Sequence, residues 1–470
     1  MQLKELADLL MIAEIRGDVN TDISEIRMNS QHVQPGDLFV CVPGISGFQE
    51  DRHRFAADAV KAGAAALVIE YDVDLDLPTI KVPNARYAMA LFASHLNGYP
   101  SLGLSLIGVT GTNGKTTTCH MIDSILVQAG YTTGLMGNLG TKIGPTMIES
   151  DINTQEPPSL QSNLKKMLDA GVEYCTMEVS SQGLHMGRVL GCEFSTAVFT
   201  NLTQDHLDYH GTMEEYLAAK GMLFARLAQS FSPDPAKRKF AVLNADEEAS
   251  TVLGQLTAAQ VLTYGIRNQA DVMAANIQLT SQGTSFDLIS FAGTIRIHLK
   301  MVGTFNVYNA LAAITAALAE NIPLEIIQEG LAHLDGIPGR MEVVDEGQPF
   351  LVLADYAHTP DGLEKVLSTI RGFADRKVIT VFGCGGDRDS GKRPVMGKIA
   401  ANYSDYVIVT SDNPRSEDPD QILIDIEEGL KEFGYPADRY ELIADRKQAI
   451  ETAIRRAEPI DVVLLAGKGH

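Results

Sequence analysis

A chain of 470 residues is too long for one ordinary core, and 45% hydrophobic residues with 41 glycines and no tryptophan is the composition of a globular protein of two to four domains. The formal charge of −22 excludes a general nucleic-acid or anionic-membrane surface, because phosphate backbones and acidic lipids are repelled by the average field; any phosphate site is local. No run reaches membrane-spanning length, Met1-Gln2-Leu3-Lys4-Glu5 lacks a signal-peptide stretch, and the five cysteines (Cys41, Cys119, Cys175, Cys192, Cys384) are scattered, so a cytoplasmic protein with reduced thiols and no membrane insertion is expected.

Residues 1–98 read as a small mixed domain: an opening helical pattern, a turn at Gln34-Pro35-Gly36-Asp37, an apolar strand Leu38 to Val42 and a helix ending near Gly63. Asn97-Gly98-Tyr99-Pro100 has the composition of a linker. In residues 99–335 a strand Leu104 to Thr110 runs into a Gly-rich loop, and Met121, Ile122, Ile125, Leu126 and Ala129 mark the helix after it. Residues 336–470 alternate apolar strands and helices, with strands at Phe350 to Ala354, Val378 to Phe382, Tyr406 to Thr410 and Val462 to Ala466. The class is α/β in three domains, the last a parallel, Rossmann-like one whose ligands belong beyond the strand ends, near Asp355, Gly383, Asp412 and Gly467.

Gly111-Thr112-Asn113-Gly114-Lys115-Thr116 follows a buried strand and opens a helix, so backbone N–H groups and the positive helix end can converge on phosphate oxygens. Lys115 adds a charge and Thr116 a magnesium-ligating hydroxyl, although the first glycine of a standard phosphate loop falls at Val109. Glu178-Val179-Ser180-Ser181 follows an apolar stretch, and Asp205-His206-Leu207-Asp208-Tyr209-His210 follows another at Ala197 to Leu202. Carboxylates and imidazoles there suit Mg²⁺ ligation beside bound phosphates, or equally the capping of the next helix.

Thr212 and Glu215 form a capping box, and the helix they open has its apolar face at Met213, Tyr216, Leu217, Leu223, Phe224 and Leu227. Lys220 lies at the centre of that face. A lysine there must snorkel, find an anionic partner or be modified, since a bare buried ammonium is costly. Further on, Asn306 can hydrogen-bond a base and Arg340, on a Pro-Gly turn between domains, can reach phosphates on closure; each can also be structural. Asp355-Tyr356-Ala357-His358, Asp387-Arg388-Asp389 and Asp412-Asn413-Pro414-Arg415 all follow strands, and arginine forks with aspartates can read an amino-acid zwitterion or form surface salt bridges.

Taken in order, Gly111 to Thr116, Glu178 to Ser181, Asn201 to Gly211, Lys220, Gly303 to Asn309, Gly336 to Glu342 and Asp355 to Glu364 resemble the Mur ligases of peptidoglycan synthesis, over nearly the whole chain. The resemblance implies an N-terminal UDP-binding α/β domain (1–98), a central P-loop ATPase α/β domain (99–335) and a C-terminal amino-acid-binding domain (336–470). It implies that ATP, with Mg²⁺, phosphorylates the D-Glu carboxylate of UDP-MurNAc-L-Ala-D-Glu and that an amine attacks the acyl phosphate. These partners are small molecules and the chain is expected to act as a monomer.

The resemblance further implies that Gly111, Thr112, Asn113, Gly114, Lys115, Thr116 and Thr117, with Asn306, Arg340, Asp355 and His358, hold ATP. Catalysis falls to Lys115, Glu178, His206 and Lys220, with Thr116, Glu178 and Lys220, carried as a carbamate, on the metal side. Ser30, Asn153, Thr154, Gln155, Ser180 and Arg188 are implied for UDP-MurNAc-dipeptide. Arg388, Asp412, Asn413, Pro414, Arg415 and Gly467 are implied for the acceptor, and Asp412-Asn413-Pro414-Arg415 matches the family's motif for meso-diaminopimelate, whose distal carboxylate Arg415 would bind.

The sequence departs from the family at Gln182, where a histidine is usual, at Thr154-Gln155-Glu156-Pro157 in place of Thr-Thr-Pro, and at Asn29-Ser30-Gln31 in place of Asp-Ser-Arg. It stops at Gly467-Lys468-Gly469-His470, where the family continues with a glutamate that would bind the acceptor's ammonium; the expectation is a truncated C-terminal end. Rival readings are a folylpolyglutamate-synthase-like ligase, a non-catalytic Mur-ligase-like binding protein, and a phosphate-loop hydrolase.

Overall fold

A computed structural model describes every residue except Ser46, Asp151, Ser230, Phe231, Pro235, Ala236, Ser281, Gln282, Gly469 and His470. The chain is α/β throughout, and its described strands form three sheets that follow one another along the sequence. The first has the order Glu14–Arg16, Thr79–Lys81, Ala66–Ile69, Leu38–Val40, Ile26–Arg27, parallel except for its first strand. Helices Leu3–Ala7, Ala56–Lys61 and Ala85–Leu96 accompany it. The expected strand at Leu38 is therefore present and ends at Val40.

The second sheet has eleven strands among the described residues. At its centre Ser105–Thr110 lies between Phe194–Phe199 and Tyr174–Glu178, parallel to both. Phe240–Asn244, Gln260–Gly265 and Val272–Thr280 extend the parallel part on one side and Thr133–Gly137 on the other. Antiparallel strands then finish each edge: Gly283–Ser290 with Gly293–Leu299, and Gly140–Ile143 with Thr146–Ile148. These hairpins lie outside the sequence expectations.

Helices cover both faces of this sheet, as a parallel sheet requires. Lys115–Gln128, Thr304–Ala319 and Leu324–His333 bury Met121, Ile122, Ile125, Leu311, Ile314 and Ile327 on one face. Pro157–Asp169, Met213–Ala225 and Ala249–Leu256 bury Leu160, Leu164, Leu223, Phe224 and Leu253 on the other. Each such side chain stabilises the fold by about 1.5–3 kcal/mol. The alanine-rich Thr304–Ala319 is buried along most of its length, and small side chains let it lie close to both helix Lys115–Gln128 and the sheet.

The third sheet runs Glu342–Val343, Leu351–Asp355, Val462–Ala466, Val378–Phe382, Tyr406–Thr410, Tyr440–Ile443, parallel but for the two-residue first strand. All four strands read from the sequence are there, the first shifted by one residue. Among the described residues no helix is long and apolar enough to cross a membrane.

Candidate active site

Three neighbouring parallel strands of the central sheet end together, and their carboxyl ends supply the Gly111 loop, Glu178 and the segment from Thr200. The loop is clamped from that segment. Thr112 N donates to Asn201 O at 2.8 Å, Asn113 N to Asn201 Oδ1 at 2.9 Å, and Thr200 Oγ1 to Asn113 O at 2.7 Å. Only glycine fits at its two turning points: at Gly111 (φ 147°) a Cβ would lie 1.9 Å from Thr200 Oγ1, and at Gly114 (φ 86°) 2.2 Å from Asn309 Oδ1. Helix Lys115–Gln128 starts there, so its first amides, which helix geometry leaves without intrahelical partners, point into the cavity.

Most of the loop's side chains are engaged elsewhere. The Thr112 hydroxyl faces Thr203 O and Tyr216, and the Asn113 amide donates to Asp361 Oδ2 at 2.7 Å. Lys115 Nζ donates to Gly111 O and Thr112 O at 2.9 and 2.8 Å. Burial lowers the Lys115 pKa while Glu178 and Asp205 pull it back up. Thr112, Asn113 and Lys115 thus brace the loop, and Thr112 to Thr117 all border the cavity.

Thr116 Oγ1 donates to Glu178 Oε1 at 3.0 Å and accepts from Arg340 Nη2 at 3.1 Å. Glu178, the last residue of its strand, is buried, and the same Oε1 accepts Asn138 N at 2.9 Å. Arg340 stacks on Tyr356 with its guanidinium carbon 4.9 Å from the ring centre. Asp355 holds this arm to the last domain, accepting Met341 N at 2.8 Å and Ala357 N at 2.7 Å, and burial raises its pKa.

Lys220 is 1% exposed, so it does not snorkel. Its Nζ donates to Gly111 O at 2.8 Å and sits 4.3 Å from the centre of the Tyr216 ring. Burial first, and then Lys115, push its pKa well down against Asp205, an amine that favours its neutral, nucleophilic form. Its charged neighbours are therefore Lys115 and Asp205 rather than Glu178. His206 has a left-handed backbone (φ 54°) and pairs with Asp205, Nε2 to Oδ2 3.4 Å. Burial pushes His206 down to about 4, and His358 likewise, its Nδ1 donating to Tyr356 O at 2.9 Å. Burial alone would raise Asp205, but His206, His358 and Lys392 outweigh it and hold it low.

Lys115, Thr116, Glu178, Asp205, His206, Arg340, Asp355 and His358 border one cavity of about 660 Å³ between the second and third sheets, and Lys220 is not part of its lining. Of the residues read from the sequence, Thr112 to Thr117, Asn153, Glu178, His206, Arg340, Asp355 and His358 line it. Asn306 does not: its Nδ2 donates to Val302 O at 3.0 Å and its Oδ1 accepts Asn309 Nδ2 at 3.1 Å, so its amide serves the helix start. Asn309, Phe305, Tyr308 and Arg267 line the cavity in its place. Asn201, Asp361 and Asn309 escaped the residue-by-residue reading although each stands inside a quoted motif.

Of the residues expected for the dipeptide substrate, Thr154 is buried, its Oγ1 donating to Glu178 O at 3.0 Å and accepting Ser180 N at 2.9 Å. Ser180 Oγ caps helix Ser181–His185 by accepting Gly183 N. Gln155 is also buried, committed to Thr141, Ser150 and Asn163, which takes its amide away from any ligand. Arg188 Nε donates to Glu156 Oε1 at 2.8 Å, and Arg86, from the first domain, reaches Glu156 Oε2 at 3.4 Å. Ser30 stands apart on a cavity of about 460 Å³ with Arg52, Phe55 and Asp58.

The residues expected for the acceptor gather beyond three adjacent strands of the last sheet. Arg388 points back toward Asp208 of the central domain, 3.8 Å away and 40% exposed. Arg415 (φ 49°) donates from Nη1 to Gly386 O, Asn413 Oδ1 accepts Lys468 Nζ at 3.4 Å, and Pro414 O accepts Glu417 N at 3.0 Å. Gly467 N donates to Asp355 O at 3.0 Å. Burial raises Asp412 against Arg446, Lys468, Arg415 and Lys392.

Among the described residues no three His, Cys, Asp or Glu side chains form a metal cluster. Thr116 and Glu178, two buried hard oxygens 3.0 Å apart beside the N-terminal end of helix Lys115–Gln128, fit Mg²⁺, which takes few protein ligands and completes its shell with phosphates and water.

A family model described as the Mur ligase middle domain matches residues 109–317, and one described as the Mur ligase, glutamate ligase domain matches 339–469. The chain is 51% identical to a UDP-N-acetylmuramoyl-L-alanyl-D-glutamate--2,6-diaminopimelate ligase of Geobacillus thermodenitrificans, covering 100% of this chain and 94% of that protein. It is 45% identical to the protein of the same name from Listeria monocytogenes, with the same coverage. A solved UDP-N-acetylmuramoyl-L-alanyl-D-glutamate--2,6-diaminopimelate ligase superposes with a TM-score of 0.69 at 32% identity, covering 100% of this chain and 94% of that one. A folylpolyglutamate synthase of Mycobacterium tuberculosis shares the fold at 20% identity, TM-score 0.68, over 81% of this chain and 92% of its own. On these matches, which span Gly111 to Thr116, Glu178, Lys220 and Asp412 to Arg415, the chain belongs to the Mur ligase family.

Proposed function

We infer that this chain is the ATP-dependent amide ligase of peptidoglycan synthesis that adds meso-diaminopimelate to UDP-MurNAc-L-Ala-D-Glu through an acyl phosphate. The observation that carries the reading is the contact of Arg340 with Thr116, itself bonded to Glu178: a cation from the last domain reaches a phosphate site built by the central one. Substrates held by different domains are thereby brought to one cavity.

In the first step a D-Glu carboxylate oxygen attacks the γ-phosphorus of ATP and the bond to the β–γ bridging oxygen breaks, releasing ADP. The first amides of helix Lys115–Gln128, Lys115 and Arg340 face the charge that develops on the phosphoryl oxygens. Mg²⁺, held by Thr116 and Glu178, would neutralise phosphate charge when bound. Carbamylated Lys220 would set an anion beside Lys115, holding that amine charged and aimed. In the second step the acceptor amine attacks the acyl carbon, phosphate leaves with the C–O electron pair, and one proton is lost. The ammonium has Asp412, and the distal carboxylate Arg415 and Arg388, as complements. A cytoplasmic location fits this nucleotide-linked chemistry, and Ser30, Asn153, Thr154, Ser180 and Arg188 are the proposed seat of the UDP-linked substrate.

Phosphate release by the purified protein with ATP, Mg²⁺ and UDP-MurNAc-L-Ala-D-Glu tests the reading. Release is expected with meso-diaminopimelate and not with L-lysine. Equal release with lysine sinks the acceptor assignment alone; release with folate and glutamate in their place, or with ATP alone, sinks the whole.

A further inference from the structure

Beneath the two acceptor loops lies Arg393, in the first turn of helix Lys392–Tyr403, 2% exposed and first by size among the fully buried side chains. Its guanidinium is shared between three segments. Nη1 donates to Asp425 Oδ2 at 2.8 Å, on helix Pro419–Phe433; Nη2 donates to Glu417 Oε1 at 2.9 Å and to Gly385 O at 3.4 Å. Glu417 follows Asp412-Asn413-Pro414-Arg415, and Gly385 opens the loop that carries Arg388. The same Glu417 Oε1 also accepts Asp387 N, which closes a ring of contacts through both loops.

The loops are sewn together above it. Gly386 N donates to Asn413 O at 2.9 Å, Ser416 N to Asp387 Oδ2 at 3.0 Å, and Arg415 Nη1 to Gly386 O. Asp387 and Arg415 both hold left-handed backbones, with φ of 51° and 49°, a conformation that persists in such residues only where the surroundings enforce it. Merely to anchor a helix at this depth, an apolar side chain serves as well as a charged one. What a guanidinium adds is a rigid planar fork whose donors fix the separation of several acceptors at once.

We propose that Arg393 is a positioning residue that sets the spacing of the Gly385–Arg388 and Asp412–Glu417 loops, and with it the aim of Arg388 and Arg415 at the acceptor amino acid. The inference rests on the reading of these loops as the acceptor pocket. Arg393 acts through them and does not itself touch substrate.

The test measures KM for meso-diaminopimelate, for ATP and for UDP-MurNAc-L-Ala-D-Glu in the full chain and in Arg393→Lys, Glu417→Gln and Asp425→Asn, with thermal melts beside each. Lysine keeps the charge but cannot bridge three acceptors. Arg393→Lys and Glu417→Gln are expected to raise KM for meso-diaminopimelate by about 10- to 100-fold while leaving the other two KM values within about twofold, and to narrow the preference over L-lysine. Asp425→Asn, which loosens only the anchor outside the loops, is expected to move it less than either. Where Arg393→Lys does not fold, Glu417→Gln decides. An unmoved KM for meso-diaminopimelate in folded variants, or a joint rise of all three KM values, overturns the proposal. A parent chain indifferent between meso-diaminopimelate and lysine instead overturns the acceptor reading on which it stands.

Discussion

The carboxylate of Asp361, in the first turn of helix Pro360–Phe373, accepts a 2.7 Å hydrogen bond from the side chain of Asn113, 248 residues earlier in the phosphate loop. The same oxygen takes Lys365 Nζ at 2.9 Å and Thr203 Oγ1 at 3.3 Å. The shape of the phosphate loop and the seating of the last domain are therefore one constraint. Replacing Asp361 by alanine leaves both Asn113 and Lys365 without their acceptor, and a charge-assisted contact of this kind is worth about 1.5–3 kcal/mol. KM for ATP is expected to rise about tenfold in Asp361→Ala, read by titrating ATP at saturating acceptor. An unchanged KM would leave the contact a passive one.

Lys220 sets stability against function. Its folded-state pKa lies below its unfolded one, so the unfolded chain binds the proton more readily; below about pH 10.4 this side chain destabilises the fold, and the cost fades as pH rises toward that value. In CO₂-free buffer Lys220→Met is expected to raise stability by ~1–3 kcal/mol near neutral pH, with the gain shrinking toward pH 10, while activity falls by more than about 100-fold. Bicarbonate should stabilise the parent and not the variant, because only the folded chain presents a neutral buried amine for modification. Melting curves with and without bicarbonate decide it; a bicarbonate effect of equal size in both proteins would sink the carbamate.

The buried imidazoles give a pH signature. His206 and His358 are held neutral by burial, at about 4, against an unfolded value of about 6.5. Their contribution is present above pH 6.5 and is lost as pH falls through 4, since the unfolded chain then binds the protons. Stability is expected to fall by a few kcal/mol across that window, of the order that two such shifts imply. Melts between pH 8 and 4 on the parent and on a His206→Gln, His358→Gln double variant test it; the variant's profile should be the flatter one.

Arg415 should decide the acceptor. Diaminopimelate differs from lysine by a distal carboxylate, and an arginine left unpaired in a formed pocket penalises the ligand that lacks it. Arg415→Asn is expected to narrow the meso-diaminopimelate to L-lysine ratio of kcat/KM by about 100-fold, chiefly through KM for the former. An unaltered ratio assigns selectivity to other residues.

The α/β class and the strand–loop–helix around Lys115 were legible because a strand period followed by glycines and a helix period has one economical structure. The four strands of the last domain were legible for the same reason. The hairpins at both edges of the central sheet were not: Val272–Thr280, Gly283–Ser290 and Gly293–Leu299 bury one face, with Phe286, Leu288 and Ile297 in the core, but the polar residues between them leave no apolar run that marks a strand. Lys220 stood out because a charge at the centre of an apolar helix face contradicts its surroundings. Asn306 and Gln155 misled for the opposite reason: an amide can serve ligand or backbone, and sequence does not say which. Asp361 and Arg393 act between segments far apart in the chain, which no local period can reveal.

One oxygen joins the two lysines. Gly111 O accepts both Lys115 at 2.9 Å and Lys220 at 2.8 Å. Substitutions at the two positions will therefore not combine as independent losses: whichever side chain remains inherits the shared acceptor. In evolutionary terms the pair is epistatic, and a chain that has lost one lysine has little left to lose with the other.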